Sequence, residues 1–131
     1  MGTNSKSKIY VGEDSNVSST GIDFGIGIDY GTIEIHSGTF KGEKAVYCGG
    51  NKYGGHFETI ISGSNTHLIG KNNIFHAFSS AQLTVTPEVD IVKENGGAEI
   101  SYQGGGATFN IPENYTIHNL AGGSYTRNTT E

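Results

Sequence analysis

Tryptophan is absent, and cysteine, methionine and arginine occur once each, as Cys48, Met1 and Arg127. A single cysteine excludes an intrachain disulfide framework. Cys48, flanked by Tyr47 and Gly49, has no electropositive neighbour to activate it and is expected to act as a small buried hydrophobe. Leucine is scarce too, being confined to Leu68, Leu83 and Leu120, and no apolar period is held through three helical turns. No apolar run reaches the length of a membrane span, and residues 1–7 lack the hydrophobic stretch of a secretory leader. Charged residues make up only 16%, with a net charge of −5 and the lysines scattered. Nucleic-acid binding, which rewards clustered lysine and arginine, is therefore not expected.

What the chain does have is glycine, 21 of 131 residues, with isoleucine, valine, phenylalanine and tyrosine as its apolar stock. These side chains suit a pleated, half-buried surface. Ile22, Phe24, Ile26, Ile28 and Tyr30 alternate with Asp23, Gly25, Gly27 and Asp29, the period of a strand with one buried face. The parity changes at Gly31-Thr32, which implies a bulge or a bend. About ten short strands follow one another at intervals of roughly 8–12 residues, the pattern of a β-sandwich, barrel or β-solenoid. Asn95-Gly96-Gly97 reads as a hairpin turn, making Pro87 to Tyr102 an antiparallel pair. The division expected is a flexible N-terminal arm (1–7), an all-β domain (8–121) and a polar C-terminal tail (122–131).

Between Ile61 and Asn73, apolar residues at Ile61, Leu68 or Ile69, and Phe75 recur every seven or eight positions, with Gly63 and Gly70 at the corners. With its G-S-N-T and G-K-N-N turns, this stretch resembles the β-helical needles and trimeric fibres of bacteriophage tails and the head repeats of trimeric bacterial adhesins. The resemblance implies a non-enzymatic structural protein of a phage particle, a capsid decoration, head fibre or spike component. It would be made in the host cytoplasm and reside in the virion among other virion proteins. Short, glycine-broken rungs bury little apolar surface alone, so association with identical copies, as a homotrimer, is expected to complete the core.

Chemistry is sparse. Zinc pairs such as H-x-H or H-E-x-x-H, D-x-D-x-D calcium loops, an intact G-x-G-x-x-G and a G-x-S-x-G elbow are all missing, so no cofactor and no metal are expected. His67 and His76 fall in successive apolar pulses and would meet on a solenoid. Asp23 and Asp29 share the polar face of one strand, and Glu34 and His36, two residues and about 7 Å apart, share that of another, which is the only support for a small polysaccharide-active enzyme. The most ligand-like segment runs from Tyr47 to Phe57. Tyr47, Asn51, Tyr53, His56 and Phe57 set flat aromatics and polar partners among glycines, as a carbohydrate-binding, lectin-like module would to stack on a surface glycan.

Overall fold

The structure is a computed structural model that describes residues 8–13, 17–21, 24–28, 31–49 and 57–131. It is a parallel β-solenoid of about four turns. Five strands open it: β1 (Lys8–Val11), β2 (Ser18–Thr20), β3 (Phe24–Ile28), β4 (Gly31–Ile35) and β5 (Gly38–Lys41). β6 (Lys44–Cys48), β7 (Phe57–Ile61), β8 (Thr66–Gly70), β9 (Phe75–Phe78) and β10 (Gln82–Val85) continue it. β11 (Asp90–Lys93), β12 (Ile100–Gln103), β13 (Ala107–Ile111), β14 (Ile117–Asn119) and β15 (Tyr125–Thr129) finish it.

Up to β13 every third strand returns to the same face, and β14 and β15 follow β12 and β13 after two. Sheet A runs β1-β4-β7-β10-β13-β15, sheet B runs β11-β8-β5-β2, and sheet C runs β14-β12-β9-β6-β3. Along sheet A, Lys8 pairs with Thr32, Thr32 with Glu58, Glu58 with Gln82 and Gln82 with Thr108. Successive circuits therefore take 24, 26, 24 and 26 residues, whereas the last step, Thr108 to Thr126, takes 18. The seven-to-eight-residue spacing of Ile61, Leu68 and Phe75 is the distance from one face to the next, not one full coil.

Local sequence explains each strand. In β4, β8 and β13 the same five-residue alternation places residues one, three and five inside and residues two and four outside. Stacking aligns the inward residues into columns. Ile33 and Leu83 flank Thr59 on sheet A, with Phe109 following, while Phe40 and Leu68 stack on sheet B, and Val46, Phe75 and Ile100 on sheet C. Most of these side chains are wholly buried, so each rung is sheltered by the next turn of the same chain. Thr84, Asn110 and Asn128 form an outward column on sheet A, with Asn128 Nδ2 donating to Asn110 Oδ1 (2.8 Å) and Asn110 Nδ2 to Thr84 Oγ1 (3.2 Å).

At the corner between sheets A and B the ladder continues through the bend. His36 N–H donates to Val11 O, Ser62 N–H to Ile35 O and Thr86 N–H to Ile61 O. Gly63 stands here with φ +99°, and a Cβ would lie 2.3 Å from the His36 carbonyl oxygen, so only glycine fits. The parity change at Gly31 is also a corner, where the chain passes from sheet C to sheet A.

The antiparallel hairpin expected between Pro87 and Tyr102 does not form. Gly96 and Gly97 do take positive φ. However, β11 pairs with β8 and β12 with β9, both parallel, so Asn95-Gly96-Gly97 turns a corner between two sheets. Order also extends past Leu120: within the stretch expected to be a polar tail, β15 pairs in parallel with β13. All five of its residues are exposed. Arg127 occupies the register position after Phe109, and its Nη2 donates to the carbonyls of Pro112 (3.1 Å) and Glu113 (2.8 Å). Tyr125 of the same strand packs its ring against Tyr102 and Phe109, with centroids 5.7 Å apart in each case, and Arg127 adds a cation beside it. The arm expected at 1–7 lies outside the described residues.

Candidate functional sites on the solenoid surface

The Tyr47–Phe57 segment spans the junction between sheets C and A. Tyr47 lies on β6 in the outward column that continues through His76 and Ser101 to His118. Its ring stacks with His76 at 6.4 Å and tilts against Phe78 at 5.3 Å, and His76 meets Phe78 edge-on at 4.6 Å. Phe57 begins β7 on sheet A, so the two ends of the segment belong to different faces. Asn51, Tyr53 and His56 lie outside the described residues. The half-buried Tyr47, His76 and Phe78 form an aromatic cluster whose rings lie at 26° between Tyr47 and His76 and at 77° between His76 and Phe78. The His76 imidazole is held below its ordinary pKa, first by burial and second by the charge of Lys44, and stays neutral more readily.

His67 and His76 do not meet. They sit on β8 and β9, which belong to sheets B and C, and His67 Nδ1 pairs instead with Asp90 Oδ2 at 3.0 Å. Consecutive strands of a three-sided coil face different directions, so outward residues in mid-strand stack on those a full circuit away rather than on those of the next strand. Among the described residues no three histidine, cysteine or acidic side chains gather as metal ligands. Cys48 is buried, its thiol pushed up to about 12 by burial against the opposing effect of a hydrogen bond with Thr59.

Glu34 and His36 do meet, with His36 Nε2 and Glu34 Oε1 2.8 Å apart. Both side chains are a quarter exposed or less. The other imidazole nitrogen, Nδ1, lies 2.5 Å from Ser62 Oγ. The Tyr10 ring packs on the imidazole with centroids 5.6 Å apart. The cluster opens into a cleft of about 360 Å³ at the A–B corner, lined by Glu13, His36, the Ser62–Asn65 turn and Glu88. Glu88 Oε1 accepts the Gly63 N–H (3.2 Å), and its carboxyl is held below the usual range, chiefly by its own backbone N–H. Ser62 escaped the search for a serine elbow. The signal lay in the 26-residue circuit that sets Ile35 beside Ile61, after which His36 and Ser62 enter the same corner. Asp23 and Asp29 lie outside the described residues.

A second polar cluster is structural. Glu99, nearly buried, accepts from Thr116 N–H (2.7 Å), Thr116 Oγ1 (2.9 Å) and Lys93 Nζ (2.6 Å). Burial raises its pKa, yet these donors outweigh burial and leave the carboxyl below its ordinary value. Comparison with protein-family models, with curated proteins and with solved structures finds no match in any of the three.

Proposed function

We propose that this chain is a structural module of a larger assembly, a stiff β-solenoid that sets distance and presents its sides, as a fibre, spike or capsid-decoration component of a phage particle does. The observation that carries this reading is the unbroken in-register stack. Four complete circuits share one apolar interior, and each rung's burial depends on its neighbours. A homotrimer is the expected form, with the virion as its place among other virion proteins. Support for contact through the sides comes from Tyr10, Val92 and Leu120, which leave large apolar surface exposed. Arg127 and the polar β15 disfavour stacking through the C-terminal end. Sedimentation equilibrium tests this: a species of three 13.8-kDa chains is expected. A single chain at every concentration refutes self-association.

The aromatic cluster favours a second reading, glycan recognition on sheet C. Glycan-array binding that is lost in Tyr47→Ala and in Tyr53→Ala, with the fold intact by circular dichroism, supports it. Unchanged binding in both variants removes it.

A further inference from the structure

We infer that the A–B corner carries a serine hydrolase site, in which Ser62 is the nucleophile, His36 the general base and Glu34 the group that positions the base. This goes beyond the scaffold reading and departs from the expectation of no enzymatic activity.

A serine hydroxyl becomes nucleophilic when a base accepts its proton and a third group orients that base. All three roles are filled across two circuits. Ser62 Oγ is 2.5 Å from His36 Nδ1, and the opposite nitrogen, Nε2, is 2.8 Å from Glu34 Oε1. Glu34 thus favours the tautomer with the proton on Nε2, leaving Nδ1 free to accept from Ser62. The backbone holds the arrangement in place. Glu34 is the penultimate residue of β4, the ladder bonds Ser62 N–H to Ile35 O and His36 N–H to Val11 O, and the Tyr10 ring packs against the imidazole. The Ser62 hydroxyl and the imidazole both face the cleft, whereas a purely structural bond gains nothing from opening onto a cavity of that size.

The chemistry balances without a cofactor. Ser62 Oγ bonds to an ester carbonyl carbon while its proton moves to His36 Nδ1. The C–O bond to the alcohol breaks, and that proton passes to the leaving oxygen. Water then attacks the acyl-serine, giving its proton to Nδ1. The Ser62 ester bond breaks, a carboxylic acid departs and the proton returns to Ser62. Side-chain donors for the developing oxyanion are available from Ser64 and Asn65, which line the same cleft.

The lining also selects the substrate class. Apart from Gly63 every lining residue is polar, so a long acyl chain has no apolar wall to bury against. Glu13 and Glu88 add two carboxylates and disfavour an anionic ester. The substrate is therefore a short-chain acyl ester, such as an acetyl group, on an uncharged or cationic hydroxyl-rich alcohol.

The test uses the full chain with a fluorophosphonate probe and with 4-nitrophenyl acetate. Expected are one phosphonyl group per chain, mapped by mass spectrometry to Ser62, and catalysed release of 4-nitrophenolate. Ser62→Ala abolishes both, His36→Gln slows release by at least ~100-fold, and Ser18→Ala, at an exposed position of β2 outside the cleft lining, retains labelling. Glu34→Gln lowers kcat more than it raises KM and slows labelling at Ser62, the mark of a positioning group. Folded wild-type chain that takes no label, or takes it elsewhere, overturns the proposal even if Ser62→Ala fails to fold. Hydrolysis in a folded Ser62→Ala equal to wild type overturns it as well. Faster turnover of 4-nitrophenyl decanoate than of the acetate overturns the short-chain assignment.

Discussion

Leu83 and Gln82 are adjacent on β10 but face opposite ways: Leu83 is fully buried between Thr59 and Phe109 of the neighbouring circuits, and Gln82 is exposed. Leu83→Ala removes three carbons, a transfer loss of about 2.4 kcal/mol at roughly 0.8 per buried carbon. A cavity contribution comes on top, because the flanking side chains are fixed by ladders on both sides and collapse little. The sum is about 3–4 kcal/mol. With a urea dependence of ~2 kcal/mol/M for a chain of this size, the unfolding midpoint falls by about 1.5–2 M. Gln82→Ala deletes only solvated atoms and shifts stability by less than ~0.5 kcal/mol. Urea titration by circular dichroism, with matching slopes in both variants, measures the pair. Equal losses in the two variants, or the larger loss in Gln82→Ala, would refute the stacking register and the inward column with it.

Three further outcomes follow from other parts of the molecule. Arg127→Val exposes an apolar end to the stack, so light scattering should detect concentration-dependent association beyond that of wild type; identical scattering would show that Arg127 is no cap. Two of the shifted groups, the buried Glu99 and the half-buried His76, weaken the fold in acid. His76 and Glu99 have depressed pKa values, so the stability each contributes is complete above its unfolded-state value, ~6.5 and ~4.3 respectively, and is lost as pH falls through the folded one. Thermal midpoints should therefore decline in two stages below pH ~6.5, and His76→Phe should erase the first; an unchanged profile in that variant would dismiss it. Cys48, buried with its thiol raised to about 12, should resist a thiol reagent at neutral pH until urea opens the core, and prompt native-state labelling would contradict its burial.

The strands were legible because their cause is local. Alternation in Phe24–Ile28 and Gly31–Ile35, and pulses at Ile61, Leu68 and Phe75, need only a few neighbouring residues to be recognised. Pairing is a different matter. Asn95-Gly96-Gly97 specifies a bend but says nothing about whether the strands on either side will touch. Here the partners lie about a circuit away, in β8 and β9, and no sequence motif repeats at that distance. The same separation hid the Ser62–His36 contact, since motif searches for a nucleophile look within five residues and this one spans 26. The strand β15 was hidden for another reason: Tyr-Thr-Arg-Asn-Thr has no apolar alternation, and all five of its residues are exposed.

The strands of neighbouring circuits stay in register although some of the corners that join them differ in length. Between β6 and β7 the chain carries residues 49–56, whereas between β9 and β10 it needs only Ser79–Ala81 to make the same crossing. The C–A crossing therefore admits connections of different length between strands that stay in register. New recognition loops can be grafted there, or acquired by descent, while the shaft that carries them keeps its pitch.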